Sequence, residues 1–407
     1  MWLYNIAIIL YTAAIGVASL WVPKAKLWRD GRKDIFRRMA QTIAPSDRIL
    51  WIHASSVGEF EQGRPLIERV REQHPEYKIL LTFFSPSGYE LRKNYKGADY
   101  IFYLPVDTPG NVRKFLKVAH PEVAIFVKYE FWLNMLFELR RQRIDTYIIS
   151  AIFRKDSIFF KWYGVLWRQA LESFKVIFVQ NRESKEYLSE IGVKSVVVAG
   201  DTRFDRVAQI AQSVKTNEIV ERFKGSSSLL VAGSTWPADE DLLCRIIERN
   251  QNVKFVVAPH EISPERIAEL ELRFKSSVRY TQITNDTSME STQVLILDTI
   301  GHLSSIYRYA SWAFIGGGFG VGIHNTLEAS TFGLPIAFGP NYQKFKEARD
   351  MIELGACRSV SSAKELEEWF EPLRDDEGYH NKIARITKEY TVKNQGASLI
   401  INNTIFE

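Results

Sequence analysis

The stretch WIHASSVGEF, residues 51–60, runs from apolar residues into a turn whose only strong acid or base is Glu59. Ser56-Val57-Gly58-Glu59 has capping-box spacing, in which serine and glutamate satisfy each other's free backbone N–H groups at a helix start. On spacing alone the cap is the simpler reading; a catalytic base is the alternative. A second group lies in GGGFGVGIHNTLE, residues 316–328, where a glycine turn leads to His324, Asn325 and Glu328. Asn325 and Glu328 fit a helix cap, and they also fit ribose recognition, with the carboxylate accepting from both hydroxyls. The run has no Walker A Gly-Lys-Ser/Thr and no clean G-x-G-x-x-G register. Ser234 and Thr235, in AGSTWP, suit an anion at a helix start or a plain cap. The seven histidines show no H-x-x-x-H spacing, and Cys244 and Cys357 form no C-x-x-C pair. No protein-held metal and no disulfide framework are expected, in a reducing compartment.

These residues need elements to hold them. At 407 residues the chain predicts two domains, and its net charge of +5 does not by itself imply a nucleic-acid partner. Short apolar runs alternate with amphipathic stretches: ILWIHAS, KILLTFF, ADYIFYLPV, VAIFVKY, TYIISAIF and KVIFVQ in the first half, then SSLLVAGS, VKFVVAP, VLILD and WAFIGG. Such alternation predicts two successive parallel sheets covered by helices on both faces. Ligands of such sheets bind beyond the carboxyl ends of the strands, which are the turns singled out above.

The first 23 residues, MWLYNIAIILYTAAIGVASLWVP, carry no charged side chain, and Lys24, Lys26, Arg29, Arg32 and Lys33 follow closely. About 20 apolar residues suffice for a membrane-crossing helix, and the basic flank assigns the rest of the chain to the cytoplasmic side. A buried or surface-lying helix is the other reading. The expected divisions are a membrane anchor at 1–23, an N-terminal domain at 24–205 and a C-terminal domain at 206–407.

HASSVGEF (53–60), YEFW (129–132), AGDTRFD (199–205), AGST (232–235), DTIGHL (298–303) and HNTLEASTFGLPIAFGPNYQKFKEA (324–348) occur in an order that resembles the Kdo (3-deoxy-D-manno-octulosonic acid) transferases of lipopolysaccharide assembly. The resemblance spans almost the whole chain. It implies two Rossmann-like domains with a central cleft, the glycosyltransferase B-type fold. It further implies an enzyme at the inner membrane, without cofactor or nucleic-acid partner, that moves Kdo from CMP-Kdo to the tetraacylated lipid A precursor, lipid IVA. In that light Glu59 matches the family's general base, and Glu130 and Arg203 match its transition-state stabilisers. Pro259 and His260, then Ile300, Gly301 and His302, then Asn325, Thr326, Leu327 and Glu328 match its CMP-binding segments, with Ser234 and Thr235 as plausible phosphate or Kdo contacts. The chain departs from the commoner pattern in having Pro259-His260 in place of Pro-Arg, Arg203 in place of lysine, and Glu130 as the sole carboxylate of KYEFW. The competing expectations are another two-domain nucleotide-sugar transferase or epimerase, and a membrane-tethered nucleotide-binding protein without catalysis.

Overall fold

The computed structural model describes residues 1–213, 216–284 and 286–407. The chain forms two compact units, Met1–Arg206 with Gln395–Glu407, and Val207–Asn394. In the first unit the strands are β1 (Ile49–Ala54), β2 (Lys78–Phe83), β3 (Tyr100–Tyr103), β4 (Pro121–Val127), β5 (Asp145–Ala151), β6 (Val176–Val179) and β7 (Val196–Val198). They pair in the order β3-β2-β1-β4-β5-β6-β7, every pair parallel. In the second unit β8 (Ser228–Thr235), β9 (Val253–Pro259), β10 (Ser277–Arg279), β11 (Val294–Ile296), β12 (Trp312–Ile315), β13 (Ile336–Phe338) and β14 (Cys357–Ser359) pair in parallel as β10-β11-β9-β8-β12-β13-β14. The apolar runs form strands because both faces are covered; all six residues of β1 are buried. β7, β10, β13 and β14 are strands that the sequence reading did not single out. Each has only three residues, too few for a run or an alternation to show.

The strand order reverses between β1 and β4 in the first sheet and between β8 and β12 in the second, where β11 also lies between β9 and the edge strand β10. These are the topological switch points, where the loops leaving two neighbouring strands diverge and open a crevice.

At the N-terminus the structure corrects the expected membrane-crossing anchor. Helix α1 (Trp2–Ala18) has 17 residues and so is about 25 Å long, short of the roughly 30 Å hydrocarbon core. Among the described residues no helix is long and apolar enough to cross a membrane. Polar side chains instead tie α1 to the first unit: the Tyr4 hydroxyl donates to Asp107 at 2.7 Å, and Asn134 donates to Asn5 at 2.8 Å. Helices α2 (Pro23–Asp30) and α3 (Ile35–Thr42) follow, the first beginning on a proline that suits a helix start.

The C-terminal end also departs from the expected division at 206–407. The helix Ala397–Phe406 belongs to the first unit, where the Asp205 carboxylate accepts from the N–H groups of Gly396 and Ser398 at 2.6 and 2.7 Å. Phe406 stacks on His74 with ring centroids 3.8 Å apart, and Asn402 donates to Gln73 at 3.0 Å. Asp205 thus caps a helix almost 200 residues away, a pairing that no local pattern announces.

Candidate functional site

In the first unit the switch point gathers two acids. Glu59 lies in the first turn of helix α4 (Val57–Gln73), directly after β1, and its carboxylate accepts the Ser56 N–H at 2.9 Å and the Ser56 hydroxyl. The capping box is therefore formed, and it fixes a half-buried carboxylate at the positive end of a helix. Glu130 follows β4 and is 9% exposed. One of its oxygens accepts the Trp132 indole N–H at 2.7 Å and lies 3.2 Å from His53 Nε2, and Ser55 adds a further hydrogen bond. Burial alone would raise the pKa of Glu130, but the bonds and charge of His53, with those of Ser55 and Trp132, hold it below the usual carboxylate range. His53 is itself fully buried, its other ring nitrogen 2.9 Å from the Thr82 hydroxyl and 3.1 Å from the Thr82 carbonyl. The consecutive serines Ser55 and Ser56 thus bring Glu130 and Glu59 to one turn.

Arg203 lies further along the same carboxyl edge, in the helix Thr202–Ser213 that follows β7. Its guanidinium folds back on Asp201 at 2.7 and 2.8 Å, and its N–H bonds the same carboxylate at 2.9 Å. The neighbouring Thr202 hydroxyl meets that of Ser150, at the end of β5, at 2.8 Å. Asp201 thereby orients a cation whose side chain keeps a third of its surface in solvent.

The switch point of the second unit is built on small residues and rings. Ser234 takes a left-handed φ of +54°, which turns the chain sharply at the end of β8. Thr235 is buried and its hydroxyl donates to Glu240 at 2.9 Å, while Glu240 pairs with Arg266. The Thr235 hydroxyl is thus engaged inside the unit. Asp239, fully buried, accepts the N–H groups of Trp236 at 2.8 Å and Gly317 at 2.9 Å through one oxygen. Burial raises its pKa to about 6, against the lowering effect of those two N–H groups.

The glycine run is a packing junction as well as a turn. A Cβ on Gly316 would lie 2.3 Å from the Ser234 carbonyl oxygen, and one on Gly318 would lie 2.6 Å from Gly339 Cα. Beside it three rings stack in sequence: Trp236 on His260 at 4.9 Å, then His260 on His324 at 4.4 Å, with the Trp236 indole donating to His324 at 3.1 Å. Burial, with His260 alongside, lowers the pKa of His324, which favours the neutral acceptor this bond requires.

At the far side of the glycine turn Asn325 donates to Glu328 at 3.0 Å and accepts from the Leu327 N–H at 3.1 Å. Ser304 donates to the other Glu328 oxygen. Thr326 and Leu327 are buried, so the Leu327 side chain belongs to the core. Ile300 is 82% exposed, Gly301 takes φ of +92°, and the ring of His302 meets that of Tyr280 at 5.2 Å. Pro259 closes β9, and the His260 N–H bonds the Thr235 carbonyl at 3.0 Å. The second unit therefore gathers Ser234, His260 and the glycine turn at one end of β8 and β12, and Ser304 joins the 300–304 segment to Glu328.

Residues missed in the sequence include His53, Trp132, Trp236 and Asp239 as partners within these sites. Trp236-Pro237-Ala238-Asp239 carries the Pro at N1 and acid at N3 of a helix start, so the cap was findable; its second bond, to Gly317, was not.

Comparison with known proteins adds three findings. Residues 32–206 match the family model described as 3-Deoxy-D-manno-octulosonic-acid transferase (kdotransferase). The chain is 24% identical over 403 residues to the 3-deoxy-D-manno-octulosonic acid transferase of Haemophilus influenzae, covering 94% of this chain and 92% of that protein. It is 27% identical over 327 residues to that of Aquifex aeolicus, covering 78% and 83%. Among solved structures, the UDP-GlcNAc 2-epimerase of Neisseria meningitidis bound to UDP-GlcNAc aligns with a TM-score of 0.62 at 16% identity, over 88% of this chain and 99% of that one. MurG of Acinetobacter baumannii aligns at 0.53 and 12% identity, over 88% and 99%. At such identities the structural likeness establishes the fold alone.

Proposed function

This chain belongs to the 3-deoxy-D-manno-octulosonic acid transferase family of glycosyltransferases, and on that premise we propose that it moves Kdo from CMP-Kdo to the tetraacylated lipid A precursor, lipid IVA, with inversion at the anomeric carbon. Glu59 takes the proton of the acceptor's primary hydroxyl as its oxygen bonds the anomeric carbon and the bond from that carbon to the CMP phosphate breaks. The leaving CMP carries away the electron pair. Glu130, ionised and immobilised, stabilises positive charge developing on the sugar ring, and Arg203 offsets the negative charge of the phosphate or of the Kdo carboxylate. In the second unit Glu328, held by Ser304 and Asn325, takes the ribose hydroxyls, while His260 and the 300–302 segment present backbone groups to the base. No metal is needed in this scheme.

The observation that carries the reading is the pairing of two acids at one switch point: Glu59 fixed at a helix start, and Glu130 lowered in pKa by His53, Ser55 and Trp132. The enzyme's place is, in this proposal, the cytoplasmic face of the inner membrane, reached through surface contact by α1. The test is transfer from CMP-Kdo to lipid IVA in detergent without added metal, product read by mass so that each added Kdo is counted. The parent transfers, while Glu59→Gln binds CMP and scarcely turns over. Equal turnover would reduce Glu59 to a cap, and no transfer by the parent would reject the donor or the acceptor.

A further inference from the structure

Behind Glu130 runs a row of polar side chains that water does not reach. Trp51 and His53 are two residues apart in β1, so they face the same side of the sheet, and Thr82 stands opposite His53 in β2. All three are fully buried. Buried polar groups cost free energy unless each finds a partner of the right kind, so every proton in such a row has a preferred place.

The donors and acceptors can be ordered. An indole N–H only donates, so the contact of Trp51 Nε1 with the Thr82 hydroxyl at 2.8 Å makes that oxygen the acceptor. The hydroxyl's own proton is then free for His53 Nδ1, 2.9 Å away. A neutral imidazole that accepts at Nδ1 carries its proton on Nε2, and Nε2 lies 3.2 Å from a Glu130 oxygen. The Thr82 carbonyl lies 3.1 Å from the same Nδ1. That carbonyl accepts from the ring when a second proton is bound there, and the Nε2–H stays on Glu130. Thr82 therefore meets each charge state of the ring with a matching oxygen, a donor for one and an acceptor for the other.

Glu130 is the titratable group among the ring's hydrogen-bond partners. The uncharged rings of Trp51, Phe126 and Trp132 pack around it with centroids 6.4, 5.9 and 6.4 Å away, and Glu59 reaches the same turn through Ser56. The opposite tautomer, with its proton on Nδ1, would turn the Nε2 lone pair on a carboxylate in a buried site, where two facing acceptors have no proton to share.

Building on the transferase reading, in which Glu130 stabilises positive charge on the sugar ring, we propose that Thr82, its hydroxyl fixed by Trp51, is a positioning residue for transfer. It holds the ring proton of His53 on Nε2 in both charge states of the ring, so that Glu130 always meets an N–H and keeps one orientation and its negative charge. Thr82 and Trp51 act only through His53 and Glu130.

The experiment uses the full chain with Thr82→Val, Thr82→Ser and the double variant Trp51→Phe/Thr82→Val, which also removes the indole donor that valine would orphan; folding is checked by thermal unfolding. Transfer from CMP-Kdo to lipid IVA in detergent is followed against pH. The histidine rings are isotopically labelled at nitrogen for NMR, with His53 assigned by comparison with His53→Gln. In Thr82→Val the hydroxyl donor is gone and the carbonyl remains, so the neutral ring moves its proton to Nδ1. Relative to the parent, kcat then falls about tenfold or more on the alkaline side, where the ring is neutral. It recovers on the acid side, with the KM for CMP-Kdo little changed. The double variant repeats this profile, and Thr82→Ser restores the parent's. In the parent, Nε2 gives the signal of a protonated nitrogen throughout, and Nδ1 that of a bare one once the ring is neutral. A loss of kcat that is equal at every pH, or as large in Thr82→Ser, makes Thr82 a packing residue and overturns the proposal. A bare Nε2 in the parent does the same. A parent that transfers nothing yet keeps the proton on Nε2 sinks the transferase reading and leaves the hydrogen-bond row standing.

Discussion

The two switch points share a topology and differ in the state of their buried acids. In the first unit Glu130 is surrounded by donors, His53, Ser55 and Trp132, and is held ionised below the usual carboxylate range. In the second unit Asp239 has one oxygen bonded to two backbone N–H groups and the other buried without a partner, and its pKa rises to about 6. The first arrangement supplies fixed negative charge for chemistry; the second shapes backbone around small residues for binding. The fold decides where a ligand sits, and the partners of each acid decide what happens there.

The sharpest break in this comparison is Glu59→Gln. Glutamine at N3 preserves the capping box, so the variant folds while transfer falls by about 10²- to 10⁴-fold, measured as turnover alongside CMP binding. Next comes Glu328→Gln, a change on the binding side. It raises the KM for CMP-Kdo by about ten- to a hundredfold, the cost of a hydrogen bond to a charged group, with a smaller effect on kcat; an equal fall in kcat alone would place Glu328 in the chemistry instead.

Gly316→Ala tests the packing junction. Its new Cβ meets the Ser234 carbonyl, and the second unit loses about 1–3 kcal/mol, read by urea unfolding, together with nucleotide affinity.

The remaining effect is in pH, and its sign differs between the two acids. Asp239 has a raised folded pKa, so its ionisation costs stability as pH climbs from about 4 to about 6, up to about 3 kcal/mol. Asp239→Asn removes that dependence. Glu130, with a lowered folded pKa, contributes stability above the ordinary carboxylate range and loses it as pH falls through its folded value. Denaturant unfolding of the parent and Asp239→Asn at pH 4.5 and 7 separates the two, and a parent-like pH slope in the variant would clear Asp239 of the role.

Helix α1 shows how the structure changes the design of an experiment. Read as a tether, residues 1–23 are removable with activity on dispersed lipid kept. The structure makes Tyr4 a partner of Asp107, a buried acid whose pKa burial raises to about 6 and which also accepts the Asn134 and Met135 N–H groups at the start of the helix Leu133–Gln142. Truncation would leave Asp107 short of a donor beside the Glu130 loop, so substitutions at the exposed residues of α1 are the cleaner probe.

Much of the fold was legible because it is local. Continuous apolar runs announced ten of the fourteen strands among the described residues, and Ser56 and Glu59 announced a helix start, since period and cap chemistry lie within a few residues. The sequence by itself also placed the informative turns after strands and, through the ordered motifs, pointed to the transferase family. Only the tertiary structure decided which partners the side chains take. His53 finds Glu130 across 77 positions, Asp239 finds Gly317 across 78, Asp205 finds Gly396 across 191, and α1 lies along the first unit. The reason is physical: hydrogen bonding, burial and pKa depend on neighbours in space, and folding brings together residues whose spacing along the chain carries no trace of the contact.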